Sequence, residues 1–161
     1  MRKYAPAAAC VIAITILDQA TKYYIRHSIP LYASVHLIDG FLSLTHLQNR
    51  GAAFSFLADV QSPWVGRGFA LLSVFALGVI AYLYKQAAEN ATLLRVALTL
   101  IMAGAAGNLI DRLTIGTVTD FVDMFIGTHH WPAYNVADSC ISIGAVLAGI
   151  WWGFFEKPAE K

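Results

Sequence analysis

The chain has 161 residues, of which 58% are hydrophobic and only 13% charged. A soluble domain carries roughly 25% charged residues, and a small one needs polar groups over most of its surface, so this composition excludes a disordered chain and argues against an ordinary water-soluble domain. A formal net charge of +1 provides no field that would gather nucleic acid, and the expectation is a single multi-span membrane domain over residues 1–161.

Crossing a bilayer as a helix takes about 20 mostly apolar residues. Four stretches meet that need, at approximately 4–25, 68–84, 93–112 and 138–155. The first follows Met1-Arg2-Lys3, as a cleaved signal peptide would, but it runs on through Asp18-Gln19-Ala20-Thr21-Lys22. An acid followed four residues later by a base suits one helix face, so this segment is read as a retained helix with a structured polar end. Residues 28–64 form a connection too long for a simple loop. Within it, Ser34 to Ile38 and Phe41 to Leu47 flank Asp39-Gly40, which is a two-residue hairpin signal. Asn49-Arg50-Gly51 reads as a turn, Ala52 to Ala58 as a short surface helix, and Trp64 as an interfacial aromatic. After the third helix, Val118 to Phe125 is strand-like, with Asp120 facing away from Phe121 and Asp123. The two outer stretches are expected to pair into one small sheet, with His129-His130 in a loop. Cys10 and Cys140 form no CxxC and read as small apolar residues.

With both termini inside, lysine and arginine divide six inside to five outside, a weak orientation signal. The acids divide more sharply: all seven aspartates fall toward the outer side and all three glutamates inside. Chemistry is therefore expected at the outer surface. Ionisable residues at membrane depth are costly and point to function. Asn108, Asp111 and Arg112 share one helix face, which fits a polar helix end with a local ion pair as well as it fits a site. Ala103, Gly104 and Gly107 suit close helix packing. Asn135 as N-cap with Asp138 three residues later suits the start of the fourth helix.

Two carboxylates brought together by folding share a proton. One then takes a proton from water while the other gives one to a peptide carbonyl. Rival chemistries lack their residues: there is no HExxH and no Gly-x-Ser-x-Gly. No phosphate-binding glycine loop is present, and Ser139 and Cys140 have no marked base. A proton- or cation-relay subunit fits the composition equally well, although its polar groups would sit near the midplane. A pure assembly subunit would leave the asparagine and aspartate clusters without a use.

Five motifs in this order resemble the lipoprotein signal peptidases, the bacterial type II signal peptidases, over nearly the full length. They are Asp18-Gln19-x-x-Lys22, Asn49-x-Gly51-Ala52-Ala53-Phe54, Gly107-Asn108-x-x-Asp111-Arg112, Val118-x-Asp120-Phe121 and Asn135-x-Ala137-Asp138. Arg50 fills a variable position, and Tyr134 stands where phenylalanine is frequent. The resemblance implies a mainly α membrane fold: four transmembrane helices, a small extracytoplasmic β-cradle and a short surface helix. It implies a multi-pass protein of the bacterial cytoplasmic (inner) membrane, with both termini cytoplasmic and the site near the outer face. The implied activity is an aspartic endopeptidase that cuts diacylglyceryl prolipoproteins before the lipidated cysteine, as a monomer in lipid, without metal or cofactor. Asp120 and Asp138 are implied as catalytic. Asn49, Gly51, Phe54, Asn108, Arg112 and Asn135 are implied to bind substrate or hold the pair, with Asp18, Lys22 and Asp111 in support. The helix start at Asp138 suits a carboxylate, which makes Asp138 the expected base and Asp120 the expected proton donor. Phe54 and its neighbours are expected to form a gate.

Overall fold

The computed structural model describes residues 4–50 and 63–155. Helix α1 (Ala5–Ser28) has a proline in its first turn, where an amide would lack a partner anyway. It stops at Ile29, which is extended because Pro30 follows it. Arg26 and His27 in its last turn complement the helix dipole. Its only buried residues are Asp18, Lys22 and Ile25, while Ile12, Ile16 and Leu17 are exposed. A soluble helix turns its apolar stripe inward; here the polar stripe is inward and the apolar surface faces out.

Helix α2 (Pro63–Gln86) likewise exposes large apolar side chains, Leu71, Phe75 and Tyr82, while Ala70 and Tyr84 on it are buried. Helix α3 (Thr92–Thr114) is the central one, packed against α1, α2 and helix α4 (Val136–Phe154). Close approach depends on missing side chains. A Cβ on Gly107 would lie 2.5 Å from Asp18 Oδ2, and one on Gly144 would lie 2.7 Å from the Ala97 carbonyl oxygen. Among the described residues, three helices, α2, α3 and α4, are long and apolar enough to cross a membrane. Helix α1 matches them in length but carries Asp18, Lys22 and Arg26. Each helix passes at least one of its expected bounds, although α1 begins one residue later and α4 ends one residue earlier than expected. Helix α2 starts earliest relative to expectation, because Pro63 suits a first helical turn; Trp64 therefore lies within a helix.

Strands β1 (Ser34–Ile38), β2 (Leu42–Asn49), β3 (Val118–Ile126) and β4 (His129–His130) form one antiparallel sheet in that order. The two outer stretches thus pair as expected, with Leu47 opposite Asp120 and Asn49 opposite Val118. Gly40 takes φ +73° in the β1–β2 turn. Asp39 has no positive φ, so the turn is not the type I′ form that requires both central residues left-handed. His129-His130 is not a loop pair: it is a short strand paired with Phe125 and Ile126 across a turn in which Gly127 takes φ +60°. Two residues are too few to show a period. The stretch 52–58, expected as a surface helix, lies outside the described residues together with Gly51.

Candidate active site

Strand β3 and the start of α4 bring the two acids to one place. Asp120, 4% exposed, accepts a hydrogen bond at Oδ2 from Asn49 Nδ2 at 3.1 Å and another at Oδ1 from Asn135 Nδ2 at 2.7 Å. Asp138 accepts at Oδ1 from Asn108 Nδ2 at 2.7 Å and at Oδ2 from the Asn135 backbone amide at 3.2 Å. The Asn135 side-chain oxygen in turn accepts the Asp138 amide at 2.9 Å, closing the capping box expected for this helix start. One asparagine therefore caps α4 and touches both acids. Every carboxylate oxygen of the pair receives a donor from the protein, which fixes both groups in place.

Burial pushes the Asp120 carboxyl up to about 7. The charge of Asp138 adds to that rise, while the hydrogen bonds from Asn49 and Asn135 and the charge of Lys22 oppose it. At neutral pH, Asp120 is thus poised between its acid and its anion.

Behind the pair lies a buried ionic layer joining α1, α3, β3 and α4. Lys22 Nζ reaches Asp18 Oδ2 at 2.9 Å, Asp111 Oδ2 at 3.2 Å and Asn108 Oδ1 at 2.9 Å. Asp18 Oδ1 accepts the Ala137 amide at 2.9 Å, and Asp111 Oδ2 accepts the Thr119 amide at 3.0 Å. Lys22, Asp18 and Asp111 are all fully buried. Buried charges need this degree of pairing to be tolerated. Gln19 and Arg26 complete the layer: Gln19 Nε2 reaches Asp111 Oδ1 at 3.2 Å, and Arg26 donates to Thr119 Oγ1 at 3.1 Å. Gln19 belongs to the first sequence motif but carries no assigned role there, and Arg26, one helical turn beyond Lys22, stands outside all five motifs.

Arg112 is less fully bonded. Its contacts to Ser73 Oγ and the Asn108 carbonyl are both 3.4 Å, and its buried Nε has no partner among the described residues. Its charge acts on Asp138, Asp120 and Asp111. A guanidinium held by long bonds beside two carboxylates still has donors to offer a ligand oxygen. Next to Asp138 opens a mainly apolar cleft of about 680 Å³, between α4 and the β3–β4 hairpin, whose walls include Phe41, Met124, Phe125, Trp131 and Ile143. Of the residues expected in the site, Asn49, Asn108, Arg112, Asp120, Asn135 and Asp138 thus converge, backed by Asp18, Lys22 and Asp111. Gly51 and Phe54 fall outside the described residues.

Two solved structures, each described as a bacterial membrane enzyme determined by the in meso method, share this fold. One superposes with a TM-score of 0.81 at 31% identity, covering 98% of this chain and 94% of the other. The second gives a TM-score of 0.81 at 32% identity over 94% and 95%. The chain is thus of the membrane-enzyme class. More particularly, residues 10–155 match the family model described as signal peptidase (SPase) II, and the chain belongs to that family. The chain is 49% identical to a lipoprotein signal peptidase of Geobacter sulfurreducens, over 88% of each chain. It is 40% identical to one of Nitratidesulfovibrio vulgaris, over 99% of this chain and 94% of that one. The protein is accordingly a peptidase of the signal peptidase II type.

Proposed function

We propose that the protein removes signal peptides from diacylglyceryl-modified prolipoproteins, cutting the peptide bond before the lipidated cysteine with Asp120 and Asp138 as the acid–base pair. The observation that carries this reading is the bridge made by Asn135, which ties one carboxylate from a strand and one from a helix start into a single donor-lined site. The substrate class follows from relatives named lipoprotein signal peptidase at 40–49% identity. The apolar cleft beside Asp138 suits the acyl chains or apolar side chains of such a substrate.

In the reaction, Asp138 as carboxylate takes a proton from water while the water oxygen bonds to the scissile carbonyl carbon. Asp120, carrying its proton, gives it to the carbonyl oxygen, and a neutral gem-diol forms. Asp138 then passes its proton to the amide nitrogen, and one diol hydroxyl returns a proton to Asp120. The C–N bond breaks, leaving an acid and an amine. Arg112 supplies donors toward the substrate backbone or ester oxygens.

The protein works as a single monomeric domain in the bacterial cytoplasmic membrane. Helix α1 serves as the fourth span, since its charges face inward and its outward surface is apolar. Both termini lie on the cytoplasmic side, and the sheet and the pair lie at the outer face. The test is cleavage of a diacylglyceryl prolipoprotein peptide by purified wild type, Asp120→Asn and Asp138→Asn. Each variant should lose at least roughly a hundredfold in kcat while remaining folded in detergent. Near-wild-type turnover in either variant would remove the acid–base pair.

A further inference from the structure

The buried lysine behind the site is oriented in a way that ion pairing alone does not explain. Lys22 has three ammonium hydrogens and three acceptors, and the third is a neutral one, Asn108 Oδ1 at 2.9 Å. Asn108 presents its other amide atom, Nδ2, to Asp138 Oδ1 at 2.7 Å. The amide oxygen receives a second, longer bond from Asn135 Nδ2 at 3.4 Å. Turning the Asn108 amide over would face an NH2 group to the ammonium and to Asn135, and an oxygen to the Asp138 carboxylate. Every contact would then oppose like with like.

We propose that Lys22 is a positioning residue for the cleavage reaction, its ammonium locking the Asn108 amide so that Nδ2 is always delivered to Asp138. This deepens the proposed function and rests on it. The lysine touches neither the carboxylate pair nor the substrate; it acts one side chain away. Its own ion pairs with Asp18 and Asp111 hold the ammonium still, because both acids are tied to backbone amides, those of Ala137 and Thr119. The lock is therefore braced on the elements that carry the pair.

Removing Lys22 alone would strand two buried carboxylates, so the experiment is a double-mutant cycle in an Asp18→Asn reference protein, which keeps an oxygen for the Ala137 amide. Cleavage of a diacylglyceryl prolipoprotein peptide is followed for Asp18→Asn alone, with Lys22→Met, with Asn108→Ala, and with both. If the lock operates, Lys22→Met lowers kcat about tenfold or more, the scale of one charge-assisted hydrogen bond, at unchanged KM. In the N108A background the same substitution changes kcat by less than about twofold. An equal loss in both backgrounds, or no loss in the first, overturns the proposal. Should Lys22→Met not fold, Asn108→Asp with Lys22 in place decides the matter. That carboxylate still satisfies the ammonium, but it donates to Asp138 only when protonated, so kcat should fall at neutral pH and recover on acidification. Neutral-pH turnover equal to wild type would refute the lock. Wild type in the same assay separates the two readings: no cleavage there rejects the proposed function itself, whereas cleavage with an intact cycle response in both backgrounds rejects only the lock.

Discussion

At the scale of the residue, Asp120 shows the cost of the site. Its proton is held at about 7 in the folded protein, against an ordinary carboxyl value of 3.8. Across that interval the native state binds more protons than the unfolded chain, so stability falls as pH rises through the window and levels off above it. Asp120→Asn removes this penalty. Its thermal midpoint in detergent should exceed that of wild type at about pH 8, with the gap closing as pH falls below the unfolded value of 3.8, where both states of the wild type are protonated. A gap that does not depend on pH would show that the carboxyl titrates alike in both states. In the proposed reaction, with Asp120 as proton donor, kcat/KM should decline as pH climbs past about 7 and that proton is lost; a pH–rate profile checks this. Some residue-scale detail was legible in the sequence. The Asn135–Asp138 capping box is a three-residue spacing and needs only local geometry. The Asn49–Asp120 and Lys22–Asn108 bonds join residues 71 and 86 positions apart, and no spacing rule reaches that far.

At the scale of the element, the packing of α3 on α4 decides where Asn108 meets Asp138. A Cβ at Gly104 would run into the Ala137 carbonyl oxygen and come within 2.7 Å of the Ile141 side chain, whereas one at Gly149 meets nothing within 4 Å. Gly104→Ala should therefore force the two helices apart, costing about 1–3 kcal/mol of stability and much of the activity. Gly149→Ala should leave both essentially unchanged; thermal melts and turnover of the pair make the comparison. The start of α4 separates in the same manner. Asn135→Ser keeps a capping oxygen for the Asp138 amide but is too short to reach Asp120. Its melting point should stay close to wild type while kcat drops roughly tenfold to a hundredfold, the worth of one hydrogen bond to a charged group. A parallel fall in stability would mean that the asparagine matters mainly as a cap. The helices were visible as apolar runs of membrane-spanning length, the β1–β2 hairpin by its Asp39-Gly40 turn signal, and β3 as a strand-like stretch. Strand β4 was not, being only two residues long, and its pairing is enforced by the preceding turn.

At the scale of the whole molecule, ions and amides share the interior with a small apolar core around Leu94, Ala97, Leu98 and Ala148, while many large apolar side chains face outward. Phe75, 70% exposed on α2, and Ile126, 75% exposed on β3, look alike by exposure but belong to different surroundings. In the proposed placement Phe75 faces lipid and Ile126 lies at the outer surface. Phe75→Lys should then cost about 2.5–3.5 kcal/mol on insertion and sharply reduce the protein recovered from the membrane fraction, while Ile126→Lys should be recovered as wild type is. Equal recovery of the two would contradict that placement.

The sequence by itself determined the class of environment, the four helices, strands β1 to β3, the helix cap and the set of polar residues that required an explanation. These follow from composition, from periods of two and 3.6 residues, and from contacts within one turn. Only the tertiary structure decided how those residues are shared out. It placed Asn135 between both acids, gave Arg26 and Gln19 a place in the ionic layer, and set Lys22 against the amide of Asn108. Which partners meet depends on how closely α1, α3 and α4 pack at Gly104, Gly107 and Gly144. Small residues at 103, 104 and 107 mark a close contact in the sequence, but which helix meets them is fixed only once the helices have docked.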